Sequence, residues 1–211
     1  MSAFEFFFSF YGLLLGLSVA VIATGLASAI QHRHKIRIGW LTPLLASFVA
    51  LDVASFWDFA WTMFRDVPFS YGLLVASLIV AIVYFVAASL VFPHQIEDGM
   101  SLDEHFWANR KVVLLLSVAA NVLAALVAVP VMLGKPDGGA LILNHGFAVL
   151  VYVGLVVPAA LFRGKAVFAT LTGVHIAMYL LSALVTAAVP DLMERAARMQ
   201  QTSPAAAPSQ P

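Results

Sequence analysis

Cysteine is absent from the 211 residues. That gap excludes disulfides, thiolate metal sites and cysteine nucleophiles together. Charge is scarce as well: 10% of the residues are Asp, Glu, Lys or Arg, against about 25% in an ordinary soluble domain. A water-soluble chain of this size leaves roughly a third of its unfolded surface exposed, and so few charges would cover it badly. Neither sign dominates, with eleven basic and eleven acidic residues, so the basic stripe that nucleic-acid binding requires is missing. No basic residue stands between Met1 and Glu5, and the apolar run that follows is too long for an h-region, so no cleavable signal is expected. A Gly-rich phosphate loop, a His-Glu-x-x-His pair and a Gly-x-Ser-x-Gly elbow are all missing. With them goes any positive case for an enzyme or a bound cofactor.

What the chain has is apolar length: 62% of it is hydrophobic. A helix rises roughly 1.5 Å per residue, so about 20 apolar residues cross a hydrocarbon core of about 30 Å. Six runs qualify, 6–30, 38–64, 69–92, 112–133, 140–162 and 166–189, and only the second holds formal charges. The expectation is an all-α, polytopic membrane protein, with a single six-helix transmembrane domain over residues 1–199 and the lipid bilayer as its main partner. The connectors are short except for 93–111, so helices adjacent in sequence are expected to pack antiparallel. In the long connector, Ser101 followed by Glu104 reads as a capping box and predicts a helix start leading into the fourth span. Beyond Pro190, acids precede bases (Asp191, Glu194, Arg195, Arg198), the order a helix dipole favours, which predicts a short helical extension. Residues 200–211, rich in Ser, Ala, Gln and Pro, are expected to be disordered.

Orientation follows from lysine and arginine. The first, third and fifth connectors hold Arg33, Lys35, Arg37, Arg110, Lys111, Arg163 and Lys165, against Arg65, Lys135, Arg195 and Arg198 on the other side. This bias predicts cytoplasmic odd connectors and both termini outside, in a bacterial inner membrane. Trp40 and Trp107 then fall at the inner interface, and Trp61, Phe64, Phe69 and Tyr71 at the outer one.

Ionisable groups at membrane depth are costly and are functional hypotheses by default. Asp52 stands at the middle of the second run, with Ser55 and Asp58 winding outward from it as a polar ribbon. The sixth run carries Thr172, His175, Tyr179, Ser182 and Thr186 at spacings of three and four, one helical stripe that should avoid lipid. Counted from the run ends, Asp52, His175 and Asn121 of the fourth run share one height, which predicts a cluster of the three. Such a cluster would serve a proton or ion path; the alternative is an interhelical hydrogen-bond network that only fixes packing.

His145 opens the fifth run with Tyr152 on the same face, in reach of Asp58 by height. A haem held by His145 and His175 is not expected, because their heights differ by on the order of 10 Å. His32 and His34 in the first connector have no carboxylate beside them and make a poor metal site.

Gly12, Gly16 and Ala20, followed by Thr24 and Ser28, form a small-residue ridge on the first run, suited to helix packing within the bundle or between protomers. Tyr11-Gly12-Leu13-Leu14 and Tyr71-Gly72-Leu73-Leu74 make a faint internal repeat. Two functional classes remain: a small translocator of protons, ions or a solute, and a non-catalytic membrane assembly or sensory module. A redox or lipid-modifying enzyme would rest on the histidines alone.

Overall fold

With no water in hydrocarbon to satisfy backbone N–H and C=O groups, each apolar run must close its own hydrogen bonds, and the α-helix does so. The computed structural model describes residues 3–68 and 70–202, with side chains over 8–68 and 70–187. Six helices follow in order: α1 Ala3–Gln31, α2 Leu41–Phe64, α3 Tyr71–Ser89, α4 Leu102–Leu133, α5 Gly138–Leu161 and α6 Lys165–Thr202. All six are long and apolar enough to cross a membrane, and the chain is an all-α, multi-pass integral membrane protein. Among the described residues no strand occurs.

The helix starts agree with the expected runs except in α4, which begins ten residues before the apolar segment. Ser101 is its N-cap residue, yet its side chain makes no capping bond, so the helix start is where the sequence placed it and the capping box is not formed. Ser70 provides a true cap, its hydroxyl accepting from Leu73 N at 3.2 Å. α6 continues past residue 189, as the charge order beyond Pro190 predicts, and takes in the first three residues of the expected disordered tail. Residues 203–211, and Phe69 of the expected outer aromatic set, lie outside the described residues.

The chain up to Ile176 forms one compact unit, and α6 from Ala177 onward belongs to a second. In the first unit α4 is the hub, with its broadest contacts to α5 and α3, while α1 lies along α3 and α2 packs on α4 and α1. α2 and α3, joined by a short turn, touch least of these pairs, so sequence adjacency predicts α1 as a neighbour of α2 but gives α3 the place that α4 takes. The reason lies on α4, where Ala120, Ala124 and Ala128 recur every fourth residue and are buried. These small side chains admit Val53, Phe56, Val80 and Tyr84 of α2 and α3 into one core with Tyr11 and Leu15 of α1.

That alanine row does the packing expected of the α1 ridge. α1 turns Tyr11, Leu15, Ser18, Ile22 and Ala29 inward, which leaves Gly16 and Ala20 exposed. No atom would stand within 4 Å of a Cβ at Gly16. Of the ridge, Gly12 takes part in packing inside the bundle, since its missing side chain seats the Trp57 indole, while Gly16 and Ala20 face outward, which leaves contact between protomers as the alternative for them. α1 is met closely at Gly25 by the connector that leaves α3, for a Cβ there would come within 2.6 Å of the Phe92 ring. The Tyr-Gly-Leu-Leu repeat is not matched in environment, for Tyr11 is 2% exposed and Tyr71 is 77%.

At the basic end, the first and third connectors are tied by backbone bonds. Arg37 N donates to Met100 O (3.0 Å), Leu102 N to Arg37 O (3.2 Å) and Gly99 N to Lys35 O (2.9 Å), with a Lys35–Asp98 ion pair beside them at 3.2 Å. Thr42 Oγ1 donates to Leu102 O at 3.0 Å, fastening the first turn of α2 to that of α4. On the same side the buried Arg110 donates from Nη1 to Ala159 O at 2.8 Å and lies over the Trp107 ring at 4.3 Å. Ala159 is in the last turn of α5, whose carbonyls lack helical partners and favour a cation.

Candidate functional site

Halfway along the helices five of them turn polar or aromatic side chains toward one point. Asp52 of α2 is 1% exposed and stands about 17 Å from the start of its helix at 1.5 Å per residue. Its Oδ2 accepts from the Tyr152 hydroxyl of α5 at 2.9 Å. The Asn121 amide nitrogen of α4 lies 3.1 Å from Oδ1 and 3.2 Å from Oδ2. The same nitrogen is 2.9 Å from the Tyr84 hydroxyl of α3 and 3.0 Å from Ser117 O. An amide has two hydrogens for these four acceptors, so the arrangement is shared. Tyr152 and Asn121 both donate to the Asp52 oxygens.

His175 of α6, buried in the first unit, completes the layer through its ring. It meets the Tyr152 ring edge-on with centroids 4.9 Å apart and the Phe48 ring at 5.6 Å. Phe48, one turn before Asp52 on α2, also stacks on Tyr152 at 6.3 Å. Tyr152 is thus the hinge of the cluster, bonded to the carboxylate through its hydroxyl and packed on the imidazole through its ring. The Ser117 hydroxyl is buried beside this layer without a hydrogen-bond partner among the described residues.

The expected trio of Asp52, Asn121 and His175 is therefore brought into one layer, with Tyr152 standing between Asp52 and His175. The polar ribbon is not. Ser55 and Asp58 are exposed, because six residues along a helix turn a side chain by about 120° at 3.6 residues per turn, and Asp52 already holds the inward face. His145 stacks flat on Phe59, centroids 4.6 Å apart and planes 9° apart, whereas Asp58 lines a different cleft with Trp57 and Trp61. No bond joins His145 to Asp58. Thr172 is buried; Tyr179, Ser182 and Thr186 belong to the second unit, where Thr186 Oγ1 bonds back to Ser182 O and Ala183 O of its own helix.

Tyr84 and Phe48 are not among the residues to which the sequence points, and Tyr152 reads there only as a companion of His145. Counted from the turn between α2 and α3, Tyr84 is level with Asp52, so a signal for it existed. The direction in which each faces was not available from such a count.

Comparison with family models, with curated proteins and with solved structures yields no match.

Proposed function

We propose that the Asp52 layer is the working site of a small translocator for protons or small cations, in a bacterial inner membrane with both termini outside. The observation that carries this is a carboxylate buried at mid-span, held between donors from two other helices. In this reading Asp52 takes up and releases the cation, and Tyr152 and Asn121 hold its two oxygens in place. His175, packed on Tyr152, is the next titratable group in line. Retention of a carboxylate at this depth, where insertion costs on the order of 3 kcal/mol, argues for use.

One feature favours a second reading. Donors from α4 and α5 meet both oxygens of Asp52, which is also how an interhelical clamp is built, and a clamp suits a membrane assembly or sensory module. In that case the exposed Gly16 and Ala20 of α1 would meet a second copy of the chain. The readings part in proteoliposomes. Under an imposed pH or cation gradient the wild type carries a flux and Asp52→Asn, folded by gel filtration and circular dichroism, does not. A wild type without flux, or a variant with the same flux, removes the translocator.

A further inference from the structure

The second charge of α2 stands in a setting of its own. Phe8, Ala54, Trp57, Asp58 and Trp61 line an open cleft of about 360 Å³, a volume in the range of small-molecule sites. Trp57 and Trp61, four residues apart, share one side of α2. The Phe8 ring of α1 closes the space against both, 5.8 Å from Trp57 at a tilt of 38° and 4.8 Å from Trp61, edge-on. Gly12 lets the Trp57 indole sit back against α1, and Ala54, one turn below Asp58, leaves the floor open. Asp58 makes no hydrogen bond or ion pair among the described residues. The nearest base in sequence, Arg65, pairs with Asp66 at 3.4 Å. Asp58 lies about 9 Å inside the end of α2, where an uncompensated charge is costly.

We propose that this cleft binds an organic ammonium ion, with Asp58 as counter-charge and the indoles of Trp57 and Trp61 as the faces that receive it. The chemistry of the lining narrows the ligand. Anions are repelled by the carboxylate and find no basic side chain in the cleft. Hard metal ions want several oxygen ligands, and among the described residues no group of three His, Asp or Glu could hold one. A neutral apolar molecule would leave Asp58 without a partner. An alkylammonium is weakly hydrated and is attracted to aromatic faces, best to tryptophan. Its source is either an amine headgroup of a lipid or a free amine. This proposal is independent of the Asp52 layer, from which the cleft is separated by the turn of α2.

Tryptophan fluorescence reads the site directly. The full chain in detergent is titrated with benzyltrimethylammonium and with its uncharged carbon isostere, neopentylbenzene. The expected result is saturable quenching by the cation and weaker binding of the isostere. Asp58→Asn should raise the Kd about tenfold, the loss of one favourable charge contact. Trp57→Leu should raise it about threefold to tenfold, and Trp40→Leu should leave it unchanged. Absence of saturable quenching, equal binding of the isostere, or an unaltered Kd in Asp58→Asn overturns the proposal. With probe binding in hand, displacement by short-chain phosphatidylcholine assigns the site to a lipid headgroup, and persistence of the probe assigns it to a free amine.

Discussion

Tyr152→Phe is the sharpest perturbation of the mid-membrane layer. It deletes one hydroxyl and leaves the ring that packs on Phe48 and His175. The deleted bond is 2.9 Å long and joins two buried side chains, Asp52 at 1% and Tyr152 at 5% exposure. A hydrogen bond to a charged group contributes about 1.5–3 kcal/mol in soluble proteins. Interhelical bonds in a membrane average about 0.6 and reach about 1.7 kcal/mol, because the unfolded chain also finds partners there. Asp52 keeps Asn121 when Tyr152 loses its hydroxyl, which lowers the cost; the burial of both groups raises it. The expected coupling is therefore about 1–1.5 kcal/mol, near the top of the membrane range. Unfolding in bicelles of the wild type, Tyr152→Phe, Asp52→Asn and the double variant closes the cycle. A coupling below about 0.3 kcal/mol would mean that the hydroxyl and the carboxylate do not hold each other, and both functional readings of the layer would lose their geometric basis.

Two further variants test the packing. Gly25→Val should cost about 1–3 kcal/mol of stability, since even its Cβ would overlap the Phe92 ring, whereas Gly16→Val should leave the stability of the monomer unchanged; the reverse order in a thermal-shift measurement would contradict the seating of Phe92 on α1. If α1 does meet a second copy of the chain, Gly16→Val also breaks the dimer seen by cross-linking. Arg110→Lys keeps the charge but loses the planar fork that reaches Ala159 O and lies over Trp107, and it should cost about 1 kcal/mol; a neutral result in the same assay would mean that the guanidinium does not cap α5.

Much of the frame was legible because the lipid imposes it. Segment length and apolarity report spans directly, and all six runs are helices. Height was legible too: residues counted from the span ends placed Asp52, Asn121 and His175 in one layer. Facing was not. An apolar helix in a membrane has no polar side to betray its orientation, so Asp58 read as a continuation of Asp52 although it turns away from it. For the same reason the α1 ridge could not be assigned to the bundle or to a second copy from its spacing, and the small residues that α2 and α3 close upon are Ala120, Ala124 and Ala128 of α4. The backbone ties between Arg37 and Met100 or Leu102 use no particular side chain and leave no trace in composition. Gly25 leaves no signal because a glycine matters through what approaches it, and Phe92 lies in the connector after α3, far away in sequence.

Asn121 and Tyr152, which donate to Asp52, stand 69 and 100 residues after it in the chain. At about 5–20 residues per second of synthesis, α2 emerges roughly 5–20 s before Tyr152 exists. During that interval the aspartate has been delivered to the insertion machinery without the groups that will satisfy it. α2 must either wait in a wet or protein-lined setting until α4 and α5 arrive, or enter the lipid with its carboxyl protonated. Membrane insertion of this chain is thus coupled to the order in which it is made, and a circular permutant that placed α4 and α5 ahead of α2 would present Asp52 with its partners already in place.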